Sequence, residues 1–325
     1  MSVLRALAPA KVNLGLFVGP TRASDGRHEL ASVMQSISLA DELTLEPASA
    51  GSEDDEILCP GVDVAPRENL AAAALRAFRA STGWRAPPLR LRIVKRIPVA
   101  AGLAGGSADA AATLRLARHA SGLGDERLLR ELGSQLGADV PAQISPGRWL
   151  AGGAGEQLEQ LAPARSSFGV LVLALAAQLS TAAVYAEADR LALTRSAPDL
   201  HERRLRMRVA LQAGAALPAA SELLHNDLQQ AAVSLCPQIA DALAQAREAG
   251  AQPAFVSGSG PTVIGLFAAD GRSPDDGLAQ AQAAASRLAG GAQGGGRMPS
   301  PICAVPVDRA FARVLELDES AVGGL

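Results

Sequence analysis

Aromatic residues are scarce in this sequence, and their scarcity limits what its core can be made of. The 325 residues include two Trp, one Tyr and six Phe, although 48% of the chain is hydrophobic. The core must therefore be built mainly from Ala, Leu and Val, in one large or two ordinary domains. The single tyrosine, Tyr185, is a residue whose role can be sought individually.

Clustered cysteines, a charge excess and long apolar runs are missing as well. The three cysteines, Cys59, Cys236 and Cys303, form no CxxC pair, which argues against a zinc or redox motif and against a disulfide framework. The net charge of −3 gives no support to broad nucleic-acid binding. Neither a membrane-spanning run nor a signal-peptide pattern is found. We expect a reduced, cytoplasmic globular protein, a monomer or weak homodimer, with a small-molecule partner and no nucleic-acid or membrane partner.

Strand and helix patterns are mixed along the whole chain, which predicts an α+β fold in two lobes. Period-two alternation indicates strands over 3–18, 33–46 and 89–97. Amphipathic spacing with start and stop signals indicates helices over 67–82, 107–122 and 125–136. Residues 145–165 contain a glycine pair, proline and a polar turn, so we place the lobe boundary there and divide the chain into 1–160 and 161–325.

A glycine-rich segment between a predicted strand and a predicted helix is the strongest single feature. Residues 98–109 read PVAAGLAGGSAD. Its glycines let backbone N–H groups approach an anion, and the positive end of the following helix points at the same place. The segment is neither a Walker A loop nor a dinucleotide GxGxxG motif, and it predicts a cradle for a polyphosphate. A tight turn without a ligand is the alternative.

A second, shorter glycine loop reads SGSGP over residues 257–261 and is followed by Thr262. Two such loops in one chain often face the same ligand. A structural turn between two strands explains this loop equally well, and the sequence leaves both interpretations open.

Three isolated polar residues stand in apolar surroundings. Lys11 and Asn13 lie two positions apart in a predicted strand, so their side chains share a face. Asp139 follows the end of a predicted helix in GADVP. Base rates favour a solvent-facing lysine and a turn or N-cap carboxylate. Near a phosphate cradle, however, a lysine and an aspartate suit phosphoryl transfer, in which the carboxylate accepts or orients a hydroxyl proton and the ammonium steadies the charge.

Four segments, taken in order, resemble the motifs of the GHMP small-molecule kinases: APAKVNL (8–14), the loop 98–109, GADVP (137–141) and SGSGP (257–261). DGxHEL (25–30), VMQSI (33–37) and DE (41–42) further resemble the branch of that family that acts on a cytidyl diphosphate of methylerythritol. The resemblance extends over roughly residues 6 to 268. It implies a two-lobed fold, with an N-terminal lobe like ribosomal protein S5 domain 2 and a ferredoxin-like C-terminal lobe.

The activity implied by the resemblance is transfer of the γ-phosphate of ATP to the 2-hydroxyl of 4-diphosphocytidyl-2-C-methylerythritol, a step of non-mevalonate isoprenoid synthesis. Mg²⁺ would bridge the ATP phosphates. Lys11 and Asp139 match the catalytic pair of this branch, and Asn69 falls in a block that lies near the nucleotide base in relatives. The positions that match the ATP-phosphate loop are Pro98, Val99, Ala100, Ala101, Gly102, Leu103, Ala104, Gly105, Gly106, Ser107 and Ala108.

Substrate-binding positions are implied in the same way. Asn13 and His28 match positions that hold the acceptor, with His28 facing the cytosine. Thr181 and Tyr185 match a segment in which an aromatic ring stacks on the cytosine. Arg27 stands where the branch usually has tyrosine. Its guanidinium can either stack on the base by its flat face or reach the diphosphate.

Other functions fit the sequence less well. A different GHMP kinase, acting on mevalonate, homoserine or a sugar, is one alternative. The block around His28 and the presence of Tyr185 argue against it. A non-catalytic nucleotide-binding relative would be favoured by loss of Lys11 or Asp139, and both are present. The glycine spacing and the strand order do not suit a Rossmann dehydrogenase.

Overall fold

Two β-sheets and the helices packed on them make up the architecture. A computed structural model describes residues 2–62, 68–163, 168–212, 222–268, 275–290 and 300–317. The strands are β1 (Val3–Thr21), β2 (His28–Pro47), β3 (Glu56–Leu58), β4 (Leu89–Val94), β5 (Arg148–Gly152), β6 (Gln157–Leu161), β7 (Phe168–Leu173), β8 (Ala254–Val256), β9 (Val263–Ala268), β10 (Ile302–Ala304) and β11 (Leu315–Leu317). The predicted α+β class is confirmed.

The helices lie between these strands in the described ranges. They are α1 (Leu70–Thr82), α2 (Gly105–Ser121), α3 (Glu126–Leu136), α4 (Val140–Ile144), α5 (Thr181–Arg190), α6 (Ala197–Gln212), α7 (Gln229–Leu235), α8 (Gln238–Glu248) and α9 (Asp276–Gly290). Each of them is too short or too polar to span a bilayer.

The first sheet is built around the long antiparallel hairpin of β1 and β2. Its strand order is β11-β1-β2-β4-β3, and β2 also pairs with β5, which pairs with β6. Ala and Leu side chains of β1, β2 and β4 pack on one side of α2, whose Ala108, Ala112 and Leu116 are buried against them. Small side chains that pack closely between helix and sheet therefore fill this part of the core in place of aromatic residues.

Local signals in the sequence account for the ends of the helices beside this sheet. The side chain of Asn69 accepts a hydrogen bond from the backbone N of Ala71 at the start of α1. Asp125 caps α3 in the same way through the backbone N of Leu128. Gly83 and Gly122 end α1 and α2 in the left-handed conformation that glycine adopts without strain.

The second sheet has the order β10-β7-β9-β8. One of its faces packs with α5, α7, α8 and α9 in an apolar cluster that includes Leu171 and Val263. The other face, with Val170, Val172 and Ile264, packs against Val12 and other residues of β1 and β2. A continuous apolar core therefore joins the two lobes.

The residues near the predicted lobe boundary depart from the expectation. No strand was predicted within residues 145–165, but they contain β5 and β6, which pair with each other and extend the first sheet. The chain end also returns to that sheet, because β11 pairs with β1 after β10 has joined the second sheet. The division into 1–160 and 161–325 stays a prediction.

Candidate active site

Two register shifts in the β1–β2 hairpin lie on either side of Lys11 and Asn13. The pairing slips between Pro9 and Lys11 and again between Asn13 and Gly15. Such bulges redirect side chains next to functional sites. Lys11 is also tied to the glycine-rich loop, because its backbone N donates to the carbonyl of Leu103 at 3.1 Å. The strand thus brings two polar side chains to the edge of the loop.

Lys11 lies between an amide and a carboxylate. Its Nζ donates to Oδ1 of Asn13 at 2.9 Å and lies 3.5 Å from Oδ1 of Asp139. The Lys11 side chain is 12% exposed and that of Asp139 is 36% exposed. Nδ2 of Asn13 donates to Oγ of Ser32 at 2.7 Å, which fixes the amide orientation. The Lys11–Asp139 pair predicted from separate motifs is therefore brought together.

The carboxylate of Asp139 is not used as a helix cap. Asp139 is the N-cap residue of α4, yet its side chain makes no capping hydrogen bond. Asp125, at the start of α3, does cap its helix. The turn or N-cap interpretation therefore does not account for the orientation of the Asp139 carboxylate, which faces the ammonium of Lys11.

The glycine-rich loop forms a concave strip of backbone. Ala100, Gly102 and Ala104 have φ of 57°, 74° and 56°, so alternate residues are left-handed. Left-handed conformations are uncommon for alanine, and they persist where the surrounding structure enforces them. Alternating backbone of this kind turns successive N–H groups into one anion-binding concavity.

The same loop leads directly into the N-terminus of α2. The N-cap residue Ala104 has no side-chain hydrogen bond to offer, so the first-turn N–H groups of residues 105–107 are left without a side-chain cap. The N–H of Ala108 already donates to the carbonyl of Ala104 at 2.9 Å, and its side chain is buried. The arrangement suits a phosphate on Gly105, Gly106 and Ser107, with Ala108 behind them.

The second glycine loop packs against the first. Oγ1 of Thr262 donates to the carbonyl of Ala101 at 2.5 Å. A Cβ on Gly102 would stand 2.8 Å from the carbonyl oxygen of Gly260, so this approach requires glycine. Of the two interpretations left open by the sequence, the loops do converge, because Gly258 and Ser259 line the same cavity as the first loop.

This cavity measures about 600 Å³, and its walls come from residues between 11 and 155 and between 181 and 259. Its lining includes these predicted site residues: Lys11, Asn13, Asn69, Pro98 to Ser107, Asp139, Thr181 and Tyr185. Three other predicted residues, Arg27, His28 and Ala108, lie outside the lining. Within the described ranges, no group of three His, Cys, Asp or Glu side chains is placed to hold a metal ion.

At one end of the cavity, Tyr185 is stacked on His28. The two ring centroids are 5.3 Å apart with 27° between the planes. Nδ1 of His28 donates to the carbonyl of Gly19 at 3.0 Å, and Nε2 lies 3.2 Å from Oδ2 of Asp189. Burial raises the pKa of the Tyr185 phenol. His28 therefore orients the tyrosine ring, and Tyr185 lines the cavity at this end.

Arg27 and Thr181 flank this end. Nη2 of Arg27 donates to the carbonyl of Ala154 at 2.6 Å, and Ala154 lines the cavity. Oγ1 of Thr181 lies 3.1 Å from Oγ of Ser259, which links α5 to the second glycine loop. The Arg27 guanidinium thus stands at the rim, and its positive charge is close enough to Tyr185 to act against the burial that raises the pKa of that phenol.

Asn69 has a structural role beside its place in the cavity lining. Its Oδ1 caps α1 through the backbone N of Ala71 at 2.8 Å. The sequence interpretation placed it near the nucleotide base. The cap fixes the side chain at the α1 end of the cavity, where Cys59, Val62 and Leu70 are its neighbours in the lining.

A buried ionic cluster next to the loop was missed from the sequence. Nζ of Lys95 donates to Oδ2 of Asp109 at 2.7 Å and also to Oδ2 of Asp41. Burial raises the pKa of Asp109 to about 7, the Lys95 ammonium opposes that shift, and the charge of Asp41 adds to it. Lys95 and Asp109 line the cavity. The usable signal was Asp109 itself, inside the glycine-rich motif.

Comparison with protein families gives two matches. The model of the GHMP kinases N terminal domain matches residues 69–147, and that of the GHMP kinases C terminal domain matches residues 207–290. The two matched segments contain the glycine-rich loop and the second glycine loop, respectively.

Individual relatives are similar over most of the chain. The 4-diphosphocytidyl-2-C-methyl-D-erythritol kinase of Streptomyces coelicolor is 43% identical over 274 residues, which cover 82% of this chain and 88% of the relative. The enzyme of the same name from Mycobacterium tuberculosis is 43% identical over 257 residues, 78% of this chain and 79% of the relative.

Solved structures agree with the fold. A crystal structure of 4-(cytidine 5′-diphospho)-2C-methyl-D-erythritol kinase has a TM-score of 0.71 at 29% identity, and the match covers 93% of this chain and 98% of that one. Homoserine kinase from Cytophaga hutchinsonii, at 13% identity and a TM-score of 0.68, shares the fold, with 97% of this chain and 98% of that one covered. The two-lobed fold implied by the sequence motifs is confirmed.

Proposed function

Because the chain belongs to the GHMP kinases, and among them to the family of 4-diphosphocytidyl-2-C-methyl-D-erythritol kinases, we propose that it transfers the γ-phosphate of ATP to the 2-hydroxyl of that cytidyl diphosphate. ATP is the co-substrate that membership of a kinase family implies. The reaction belongs to non-mevalonate isoprenoid precursor synthesis, and we place it in the cytoplasm.

The observation that carries the proposal is the position of the Lys11–Asp139 pair. It stands in the wall of the same cavity as the uncapped N-terminus of α2. A nucleotide whose phosphates lie on residues 98–107 therefore has its transferable group near both side chains. Phosphoryl transfer depends mostly on positioning and on compensation of charge, and this arrangement supplies both.

The roles of the pair follow from their charges. Asp139 receives the hydrogen bond of the acceptor hydroxyl and orients its oxygen toward the γ-phosphorus. As the new P–O bond forms and the bond to the β-phosphate oxygen breaks, the hydroxyl proton passes toward the Asp139 carboxylate. Lys11 keeps that carboxylate in place and offsets negative charge on the moving phosphoryl group. Asn13 fixes the ammonium of Lys11 through its Oδ1.

Phosphates of ATP fit the loop because its backbone turns N–H groups inward and its helix end is uncapped. Mg²⁺ belongs to the proposal as an ion that arrives on the ATP phosphates, since it typically binds through substrate phosphates with few protein ligands. When bound, it neutralises charge on the β- and γ-phosphates. Asn69 marks the end of the cavity that we assign to the adenine.

The opposite end suits the cytosine of the acceptor. Tyr185 lines this end of the cavity, and His28 stacks on its ring and holds it in place. Stacking of a base on an aromatic side chain is tolerant of orientation and contributes about 1–3 kcal/mol. Thr181 and Arg27 then flank the base, and Arg27 at the rim is near enough to favour a negatively charged diphosphate by its charge.

Comparison of acceptors tests this assignment. Purified protein with Mg-ATP should release ADP with 4-diphosphocytidyl-2-C-methylerythritol at a kcat/KM at least 1000-fold above that with mevalonate or homoserine, an order-of-magnitude expectation for a site built around a base. A higher kcat/KM with either of the other two acceptors would reject the cytidyl assignment while leaving the kinase chemistry in place.

A further inference from the structure

Arg148 is an arginine buried without a counter-charge, outside the lining of the active-site cavity. It begins β5 and is 2% exposed. Its Nε donates to Oε1 of Gln35 at 3.0 Å. Its Nη1 and Nη2 are fully enclosed and have no hydrogen-bond partner in the described part of the chain. Burial lowers its pKa to about 10, and no carboxylate acts against that shift.

Such a group is unusual in a folded protein. A buried guanidinium normally has its N–H groups satisfied by a carboxylate, a carbonyl or a bound anion, because an unpaired buried charge is strongly unfavourable. The four N–H groups on Nη1 and Nη2 form a planar fork that matches the oxygens of a phosphate or a carboxylate. The fork is therefore suited to binding an oxyanion.

Arg148 lines a cavity of about 500 Å³. The cavity lies between β5–β6 and residues 306–311 of the chain end, and it shares no lining residue with the active-site cavity. Arg309 also lines it and is exposed, with no side-chain hydrogen bond or ion pair in the described ranges. The one acidic lining residue, Asp308, accepts a hydrogen bond at Oδ1 from the backbone N of Ala310 at 2.9 Å.

A second cavity, of about 420 Å³, continues the positive charge. It shares Pro146 and Arg309 with the first, and its lining includes Arg115, Arg118 and Arg313 but no Asp or Glu. Four arginines therefore line this cavity in a chain whose net charge is −3. Arg115 is itself enclosed, and it donates only to the backbone carbonyls of Gln143 and Leu7, at 2.6 and 2.8 Å.

We propose that the cavity beside Arg148 is a second ligand site, separate from the active site, that binds a phosphate group through Arg148 and Arg309. The apolar remainder of its lining, with Leu161, Phe311 and the prolines 146, 163 and 306, accommodates the organic part of a small phosphate ester. Since the Nη atoms are enclosed, the lining side chains shift when the ligand enters, and the exposed Arg309 has the freedom to do so.

Calorimetric titration tests the site when the nucleotide loop is already filled. Protein saturated with Mg-AMP-PNP is titrated with inorganic phosphate, with glycerol 3-phosphate and with malonate. We expect one phosphate-bearing ligand per chain, with the affinity lowered at least 10-fold in Arg148→Gln and several-fold in Arg309→Gln. Arg85→Gln, which alters an exposed arginine outside both cavities, should bind as the wild type does.

Two further measurements identify the kind of phosphate that binds and the place where it binds. Tighter binding of glycerol 3-phosphate than of inorganic phosphate supports an organic ester, and the reverse supports free phosphate at the same fork. An anomalous peak from soaked selenate within hydrogen-bond distance of Arg148 Nη1 or Nη2 supports the site even if Arg148→Gln fails to fold. Preference for malonate, no binding, or binding unchanged in both arginine variants would overturn the proposal.

Discussion

At the scale of single residues, the account depends most on Asp139, whose carboxylate is held near an ammonium and is left free by its helix. Asp139→Asn keeps the size and the hydrogen-bonding capacity of the side chain but removes its charge. We expect kcat to fall by at least 100-fold, since general acid–base groups contribute about 10²–10⁴. The Kd for ATP should stay within about 2-fold, because the loop and the N-terminus of α2 are untouched.

The matched control for this change is Asp125→Asn. Asp125 caps α3 at 2.8 Å, and asparagine caps a helix about as well as aspartate does. Steady-state kinetics and nucleotide titration on both variants separate the two roles. An Asp139→Asn enzyme with near-normal kcat would remove Asp139 from the mechanism.

Tyr185 is the residue on which recognition of the acceptor base depends. Tyr185→Ala removes the stacking surface and should raise the KM for the acceptor by roughly 5- to 150-fold, equivalent to the ~1–3 kcal/mol of one stacked base. The KM for ATP should change little. Tyr185→Phe, which keeps the ring on His28, is the control and should behave almost as the wild type does. Equal effects on both substrates would contradict stacking.

Asp109 makes the free energy of unfolding depend on pH. Its pKa is raised from 3.8 to about 7 by burial, with Lys95 opposing the shift, so the folded state binds its proton more tightly than the unfolded state does. The stability from this group is complete below pH 3.8 and is lost as the pH rises through about 7.

Thermal unfolding of Asp109→Asn tests whether this contribution to stability decreases as the pH rises. The Tm of the wild type minus that of the variant should decrease between pH 5 and pH 8, because the asparagine has no proton to lose. A Tm difference for Asp109→Asn that stays constant or increases with pH would show that the buried carboxyl does not titrate in this way.

Some of the residues in the candidate active site could be predicted from the sequence and others could not. Lys11 and Asp139 stood in short motifs whose residue types are unexpected for their apolar surroundings, so they could be selected. Lys95 gave no such signal, because it looked like one more basic residue on the exposed face of a strand. Its burial depends on Asp41 and Asp109, which come from another strand and from α2 and meet it only in the folded chain.

At the scale of elements, the glycine-rich loop and its contact with the second glycine loop shape the nucleotide site. Gly102→Ala places a Cβ 2.8 Å from the carbonyl oxygen of Gly260 at a residue with φ of +74°. The loops must then separate, and we expect the KM for ATP to rise at least 10-fold, together with a loss of stability.

Gly122→Ala is the control for backbone strain alone. Gly122 has φ of +67° and nothing within 4 Å of the added Cβ, so this variant carries the left-handed penalty of about 1–2 kcal/mol without a close contact. Its Tm should fall while its KM for ATP stays as in the wild type. If both variants raise that KM equally, the contact between the loops does not shape the site.

The helices and strands predicted most accurately were those whose ends are marked by residues in the element itself. The helices α1 and α2 have glycine after their last residues, and the predicted ends differ from the observed ones by a few residues. The strands β5 and β6 escaped notice because each has five residues. The partner of β5 in the sheet is β2, with Arg148 paired to Gln35, 113 positions away in the sequence, and β6 pairs with β5. All five residues of β5 are buried, so this strand lacks the apolar–polar alternation by which a half-exposed strand is predicted.

At the scale of the whole molecule, the active-site cavity needs segments that are far apart in the sequence. The phosphate loop, Lys11 and Asp139 precede residue 140, while Thr181, Tyr185 and Ser259 lie in α5 and in the loop between β8 and β9. The apolar core between the sheets and the chain end hold these parts in register. Near that end, the backbone N of Ser38 donates to the carbonyl of Val305 at 2.8 Å, and that of Val307 donates to Ser36 at 2.9 Å.

Phosphoryl transfer between the two ends of this cavity is the central claim, and product analysis tests it most directly. Purified protein is incubated with Mg-ATP and 4-diphosphocytidyl-2-C-methylerythritol, and ³¹P NMR is recorded alongside an ADP assay. The account predicts ADP and one new phosphomonoester in equal amounts, with the diphosphate of the acceptor intact and no reaction without the acceptor. ADP formed without the acceptor, or no monoester while ATP is still bound, would contradict it.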